Sequence, residues 1–109
     1  MIRTTRNKGF QLTFENKLTI SVQIGTMNYC SRKDAFAVYD SEMKTDLVES
    51  ETAEIAIWDD KDGWLDFGSD QVKGWVTADE ISQWITWTKV ARDLGDLADL
   101  ANLPKTQQA

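Results

Sequence analysis

The sequence predicts an α+β domain in which antiparallel β-hairpins form one sheet, packed against a C-terminal amphipathic helix with a short terminal helix after it. Three observations predict it. Apolar and polar residues alternate from Phe10 to Ile24, and again around Ile55–Ile57 and Leu65–Phe67. Such period-2 alternation marks a half-buried strand. From Thr77 onward the apolar spacing changes to that of a helix, behind a capping signal.

The elements follow in order. Phe10, Leu12 and Phe14 alternate with Gln11, Thr13 and Glu15, and Leu18, Ile20, Val22 and Ile24 alternate with Thr19, Ser21 and Gln23. Matching the apolar faces pairs Phe14 with Leu18, Leu12 with Ile20 and Phe10 with Val22, because a one-residue slip sets apolar against polar. The turn is then Glu15-Asn16-Lys17. A three-residue turn calls for a left-handed residue at its end, where Lys17 stands in place of an easier Gly. Residues 25–34 break the alternation and read as a loop. Ala35 to Tyr39 reads as a short strand, and Asp40 to Thr52 as an acidic surface loop.

In the second hairpin, face matching pairs Ile57 with Leu65 and Ile55 with Phe67 around the loop Asp59-Asp60-Lys61-Asp62-Gly63. Trp58 then opposes Trp64 on the other face. Val72 to Val76 adds a further strand, with Gly74 allowing a bend.

Thr77-Ala78-Asp79-Glu80 fits a capping box, and Asp79 and Glu80 suit the positive end of the helix dipole. Ile81, Trp84, Ile85, Thr88 and Ala91 follow at helical spacing, and Trp87, Val90 and Leu94 widen the stripe. Gly95 is the expected helix stop. Leu97, Leu100, Ala101 and Leu103 then suggest a short helix ending at Pro104.

The chain has 109 residues, which fits a single domain over 1–109 with loose ends at 1–8 and 104–109. Hydrophobic residues make up 41%, enough for a packed core, so wholesale disorder is not expected. No apolar run approaches the ~20 residues of a membrane-spanning helix, and no apolar stretch follows Arg3 and Arg6, so neither a membrane span nor a signal peptide is expected. Cys30 is the sole cysteine, so no internal disulfide can form, and a reducing cytoplasm is the expected compartment.

The net charge of −6 is unevenly spread. Residues 1–33 hold six basic side chains and one acid, whereas residues 40–70 hold eleven acids and two lysines. An acidic middle repels nucleic acid, so direct nucleic-acid binding is not expected, and it suits a basic protein surface. The plainer reading is a solvated acidic face.

Histidine is absent, which removes His-based nucleophile pairs and the commonest transition-metal ligand. No Gly-rich phosphate loop is present. The Asp59/Asp60/Asp62/Gly63 run invites a calcium reading, but aligning Gly63 with the EF-hand glycine puts Trp58 at the first ligand position and Ser69 at the bidentate one. Paired acids such as Asp59 and Asp66 carry little information in so acidic a stretch. The expectation is a non-enzyme with no cofactor and no metal.

Two candidate binding regions remain. Asn28-Tyr29-Cys30-Ser31-Arg32-Lys33 joins an amide, a phenol, a thiol, a hydroxyl and two cations, a set suited to an anionic group. The plainer reading packs Tyr29 and Cys30 inward and leaves Arg32 and Lys33 solvated. The second region is Trp58, Asp60 and Trp64, joined by Trp75. If the helix covers the Ile55/Ile57 face, these tryptophans form an exposed patch beside acids, the usual form of a binding anchor. A helix carrying Trp84 and Trp87 needs apolar sheet to pack on, which favours burial of at least one hairpin Trp.

The segments Gly9-Phe10-Gln11-Leu12-Thr13-Phe14-Glu15-Asn16, Thr19-Ile20-Ser21-Val22-Gln23, Asn28-Tyr29-Cys30-Ser31, Ala53-Glu54-Ile55-Ala56-Ile57-Trp58 and Gly74-Trp75-Val76-Thr77-Ala78-Asp79-Glu80 together resemble small proteins of unknown function encoded by bacteriophages and prophages. The resemblance covers residues 9–87, and Lys17 departs from the Gly expected after Glu-Asn. It implies a phage or prophage origin and a bacterial host cytoplasm. It supplies no catalytic residues. The functional expectation is therefore an accessory protein that binds a host protein, with inhibition of a host defence system as its use. The alternatives are a small-ligand binder of nucleotide type using aromatic stacking with Arg32 and Lys33, and a structural homo-oligomer, such as a dimer through an exposed sheet edge.

Overall fold

The computed structural model describes residues 1–5, 8–25, 30 and 49–104. Five antiparallel strands form one sheet in chain order, each pairing with the next: β1 (Ile2–Thr4), β2 (Gly9–Thr13), β3 (Thr19–Gln23), β4 (Thr52–Trp58) and β5 (Lys73–Thr77). Two helices follow, α1 (Ala78–Val90) and α2 (Leu94–Leu100). The α+β class read from the sequence is the observed one. The expected strand Ala35 to Tyr39, residues 26–29 and 31–34 of the first loop, and residues 40–48 of the acidic stretch lie outside the described residues.

The first hairpin takes the register that its apolar alternation dictates. Phe10 pairs with Val22 and Leu12 with Ile20, and the Phe14 amide donates to the Leu18 carbonyl at 3.0 Å. Lys17 adopts the left-handed conformation at φ 73°. Ahead of this hairpin, β1 adds an edge strand that the sequence did not announce, with Ile2 opposite Leu12 and Arg3 opposite Gln11. Three residues holding one apolar side chain offer no alternation to detect.

The second hairpin is only half as expected. Trp58 faces Trp64 and the Leu65 amide donates to the Ile57 carbonyl at 2.8 Å, but Ile55 does not pair with Phe67. Its partner is Lys73 of β5, across a bulge that falls between Ala53 and Ile55. The chain turns away after Leu65: the Gly68 amide donates to the Asp66 carboxylate at 2.8 Å, the Phe67 amide donates to the Asp70 carbonyl at 2.8 Å, and Gly68 sits at φ 136°. Phe67 instead packs edge-on against Trp84, with ring centroids 5.2 Å apart. An Asx-type turn and an aromatic contact thus outcompete two further ladder bonds, and β5 fills the vacated edge.

Helix α1 starts with the capping box read from the sequence. The Glu80 amide donates to Thr77 Oγ1 at 3.3 Å, and the Thr77 amide donates to Glu80 Oε1 at 3.0 Å. The helix stops earlier than Gly95 predicted. Ala91 is its C-cap, and Gly95 lies inside α2. Asp93 decides this, because its carboxylate accepts from the Asp96 amide at 2.8 Å and so caps a new helix there. The Arg92 amide and guanidinium both donate to the Asp96 carboxylate, at 2.9 and 3.3 Å. These bonds hold Asp96 below its ordinary pKa and raise that of Arg92. Asn102 ends α2 in the left-handed region at φ 57°. The Leu103 amide then bonds the Ala98 carbonyl at 2.8 Å and the Asn102 amide bonds Asp99 at 3.1 Å, the paired bonds of a Schellman terminus.

The core lies between one sheet face and the helices. Leu18, Ile20, Val22, Ile55, Ile57, Leu65, Val76, Trp84 and Leu97 are buried in a single cluster. Each fully buried aliphatic side chain of this size contributes about 1.5–3 kcal/mol. Thr88 is fully buried too, and its hydroxyl is satisfied by donating to the Trp84 carbonyl at 2.7 Å. Because α1 packs against the Ile55/Ile57 face, among the described residues both helices leave the opposite sheet face uncovered.

Candidate binding site

Alternation fixes what that opposite face carries. One row runs across the strands from Met1 through Thr13, Thr19 and Trp58 to Trp64. The next runs from Arg3 through Gln11 and Ser21 to Ala56. In the first row the short Thr13 and Thr19 lie between Met1 and Trp58, and in the second Gln11 and Ser21 lie between Arg3 and Ala56. The result is a trough of about 290 Å³, lined among the described residues by Met1, Arg3, Gln11, Thr13, Lys17, Thr19, Trp58, Asp59 and Asp60.

The floor is polar and cross-linked by its own hydrogen bonds. Thr13 Oγ1 and Thr19 Oγ1 lie 2.8 Å apart in a hydroxyl–hydroxyl bond. Gln23 Nε2 donates to Ser21 Oγ at 3.0 Å, while its Oε1 accepts from the Thr5 hydroxyl at 2.8 Å. Thr19 and Ser21 are buried although they face away from the helices.

One wall is aromatic and acidic. The Trp58 and Trp64 rings meet at 4.8 Å between centroids with a 40° tilt. Trp58 is half-buried, whereas Trp64 is 43% exposed. Below them, Asp59 Oδ1 accepts from the Lys61 and Gly63 amides, each at 2.8 Å. That closes the loop, and it explains the glycine: a Cβ at Gly63 would lie 2.6 Å from the Asp59 carboxylate. Asp60 is exposed at the rim. Across the trough Arg3 stands on β1, and Lys17 closes one end from the β2–β3 turn. Among the described residues no ion pair joins either cation to Asp59 or Asp60.

The structure therefore brings together Trp58, Asp60 and Trp64 of the residues singled out in the sequence. The expected burial of a hairpin tryptophan is corrected, because the helix chose the isoleucine face. Trp75 does not join the pair. It lies on β5 across from Glu54, about 13 Å along the strand from Trp58 at the usual rise per residue. It is 55% exposed at φ 52° in the bulge. Cys30 is buried and its Sγ donates to the Gly25 carbonyl at 3.5 Å, so the inward-packing reading applies to the thiol. Asn28, Tyr29 and Arg32 lie outside the described residues, as does Lys33.

Sequence reasoning missed Arg3, Thr13, Lys17 and Thr19 as trough residues. The alternation already set Thr13 and Thr19 on the polar face with Gln11. Arg3 required β1, which has no sequence signal of its own.

Among the described residues, no group of three His, Cys, Asp or Glu side chains is placed to hold a metal ion, and no helix is long and apolar enough to cross a membrane. Searches of protein-family models, curated proteins and solved structures give no match to this chain.

Proposed function

We propose that this chain is a non-enzymatic binding module that engages a partner protein through the sheet face opposite the helices, at Trp58, Trp64 and Asp60. One observation carries the reading: a contacting tryptophan pair is displayed on the face opposite the core, beside a trough with charged walls. Tryptophan on a surface exposes apolar area to water, and a partner that covers it recovers that area. With the likeness to phage and prophage proteins, the proposed partner is a host protein, and the proposed use is interference with a host defence system in the bacterial cytoplasm.

A nucleotide-type small ligand ranks behind this reading. The trough sits at the lower end of ligand-pocket volumes, and Asp59 and Asp60 on its wall oppose a polyphosphate. A homodimer through a sheet edge also ranks behind. Among the described residues the edge strands are β1, of only three residues, and β5, which carries a bulge, and both features discourage strand addition.

The test is affinity capture from bacterial lysate with the wild-type chain beside Trp64→Ser and Trp58→Ser variants. Proteins retained by the wild type and lost from both variants are expected. Identical capture profiles for all three proteins would count against the face. A substrate turnover abolished by one point substitution would end the non-enzymatic reading.

A further inference from the structure

The trough has two chemically different walls, and that difference defines what fits between them. Trp58 and Asp60 stand on the side of β4, Arg3 stands on the side of β1, and Lys17 lies at one end in the first turn. Three strand spacings, about 14 Å of backbone, separate β1 from β4. Among the described residues no ion pair joins Arg3 to Asp59 or Asp60. Each wall keeps its own sign over a neutral threonine floor.

We propose that the trough takes an extended segment of the partner protein that carries both signs of charge, with a cationic side chain against Trp58 and Asp60 and a carboxylate against Arg3. This rests on the sheet face opposite the helices being a protein-binding surface. The aromatic wall favours a cation through the ring quadrupole, and the adjacent carboxylate adds to it. The opposite wall favours an anion for the same electrostatic reason. A purely basic peptide meets Arg3 and Lys17, and a purely acidic one meets Asp59 and Asp60, so each gains at one wall and loses at the other. The floor spans β2 and β3, about 10 Å with their side chains, which is the width of one extended chain and tight for a helix. The Thr13–Thr19 bond uses one of two hydroxyl hydrogens, and the second remains to donate to a peptide carbonyl.

The experiment follows the five tryptophan indole N–H signals of the full chain by NMR during titration. The probes are end-capped peptides holding one Arg and one Glu at separations of one to four residues, matched peptides holding only Arg or only Glu, and ATP. The expected result is a saturable shift of the Trp58 and Trp64 signals with a mixed-charge peptide, with single-sign peptides and ATP about tenfold weaker or worse. Arg3→Glu and Asp60→Lys each weaken the mixed-charge peptide. The double variant regains binding for the peptide in which Arg and Glu are exchanged. Equal responses to single-sign peptides or to ATP, indifference to the charge reversals, or no response to any mixed-charge peptide overturn the proposal. If lysate capture still depends on Trp58 and Trp64 in that event, the binding face stands and only its charge assignment falls.

Discussion

The Asn16 amide nitrogen donates to the Thr88 carbonyl at 2.7 Å across a sequence separation of 72 residues. The same nitrogen reaches the Ala91 carbonyl at 2.7 Å and the Lys89 carbonyl at 3.3 Å, while Asn16 Oδ1 accepts from the Leu18 amide at 3.0 Å. The last carbonyls of a helix have no partner within it. A turn residue of the first hairpin supplies one here, and this ties the sheet end that carries Lys17 to the C-terminus of α1. Asn16→Ala is expected to cost about 1–3 kcal/mol in urea unfolding, since it strands partly buried carbonyls. Asn16→Asp is expected to cost more at neutral pH, because it sets a carboxylate against carbonyl oxygens. That carboxyl has a higher pKa folded than unfolded. The variant's penalty relative to the wild type is therefore least below the unfolded value and grows as pH rises through the folded one. A pH-independent penalty would contradict this account.

Lys17 is the neighbouring case in which stability and the trough pull apart. A left-handed conformation costs a residue with a Cβ roughly 1–2 kcal/mol, and Gly escapes most of it. At φ 73°, Lys17→Gly is expected to raise stability by about 0.5–1 kcal/mol once the extra freedom of the unfolded chain is subtracted. The same change removes a cation from the trough. Denaturation midpoints rising while affinity for a mixed-charge peptide falls is the expected pairing of results.

That Lys17 was recognisable in advance shows where local reasoning works in this chain. The first hairpin has one apolar register, and its turn length then forces the strained residue. The Thr77–Glu80 capping box is equally local. Reasoning failed where two local signals compete. Leu65 and Phe67 alternate well enough to continue a strand, but Asp66 and Gly68 carry a turn, and only the presence of Trp84 for Phe67 to pack on settles the contest. Gly95 and Asp93 present the same kind of conflict, a stop signal against a start signal two residues apart. The trough was half legible. Thr13, Thr19 and Trp58 follow from alternation, whereas Arg3 depends on a polar edge strand that only pairing with β2 creates.

The capping box links stability to pH in a defined direction. Bonds from the Thr77 backbone and side chain hold the Glu80 carboxyl below its ordinary pKa. A depressed folded pKa means that the contribution is present above the unfolded value and is lost as pH falls through the folded one. Melting temperature is thus expected to drop on acidification below about pH 4.5, with Glu80 as one contributor. Glu80→Gln keeps a hydrogen-bonding group and removes the titration, so its melting temperature should depend less on pH across that window. An unchanged pH profile in this variant would detach Glu80 from the effect.

The tryptophans separate the fold from the face in a single measurement. Trp84 is buried between Phe67 and Trp87, at ring distances of 5.2 and 5.1 Å, so Trp84→Ala is expected to cost about 3–5 kcal/mol. Among the described residues the ring contact of Trp64 is with Trp58, on the face opposite the helices, and Trp64→Ser is expected to cost about 1 kcal/mol or less. Acrylamide should quench part of the native fluorescence readily and leave part protected. Trp64→Phe and Trp75→Phe should each diminish the readily quenched part, while Trp84→Phe diminishes the protected part. If Trp64→Phe leaves the accessible fraction unchanged, the face is covered in solution, and a partner would have nothing to dock on there.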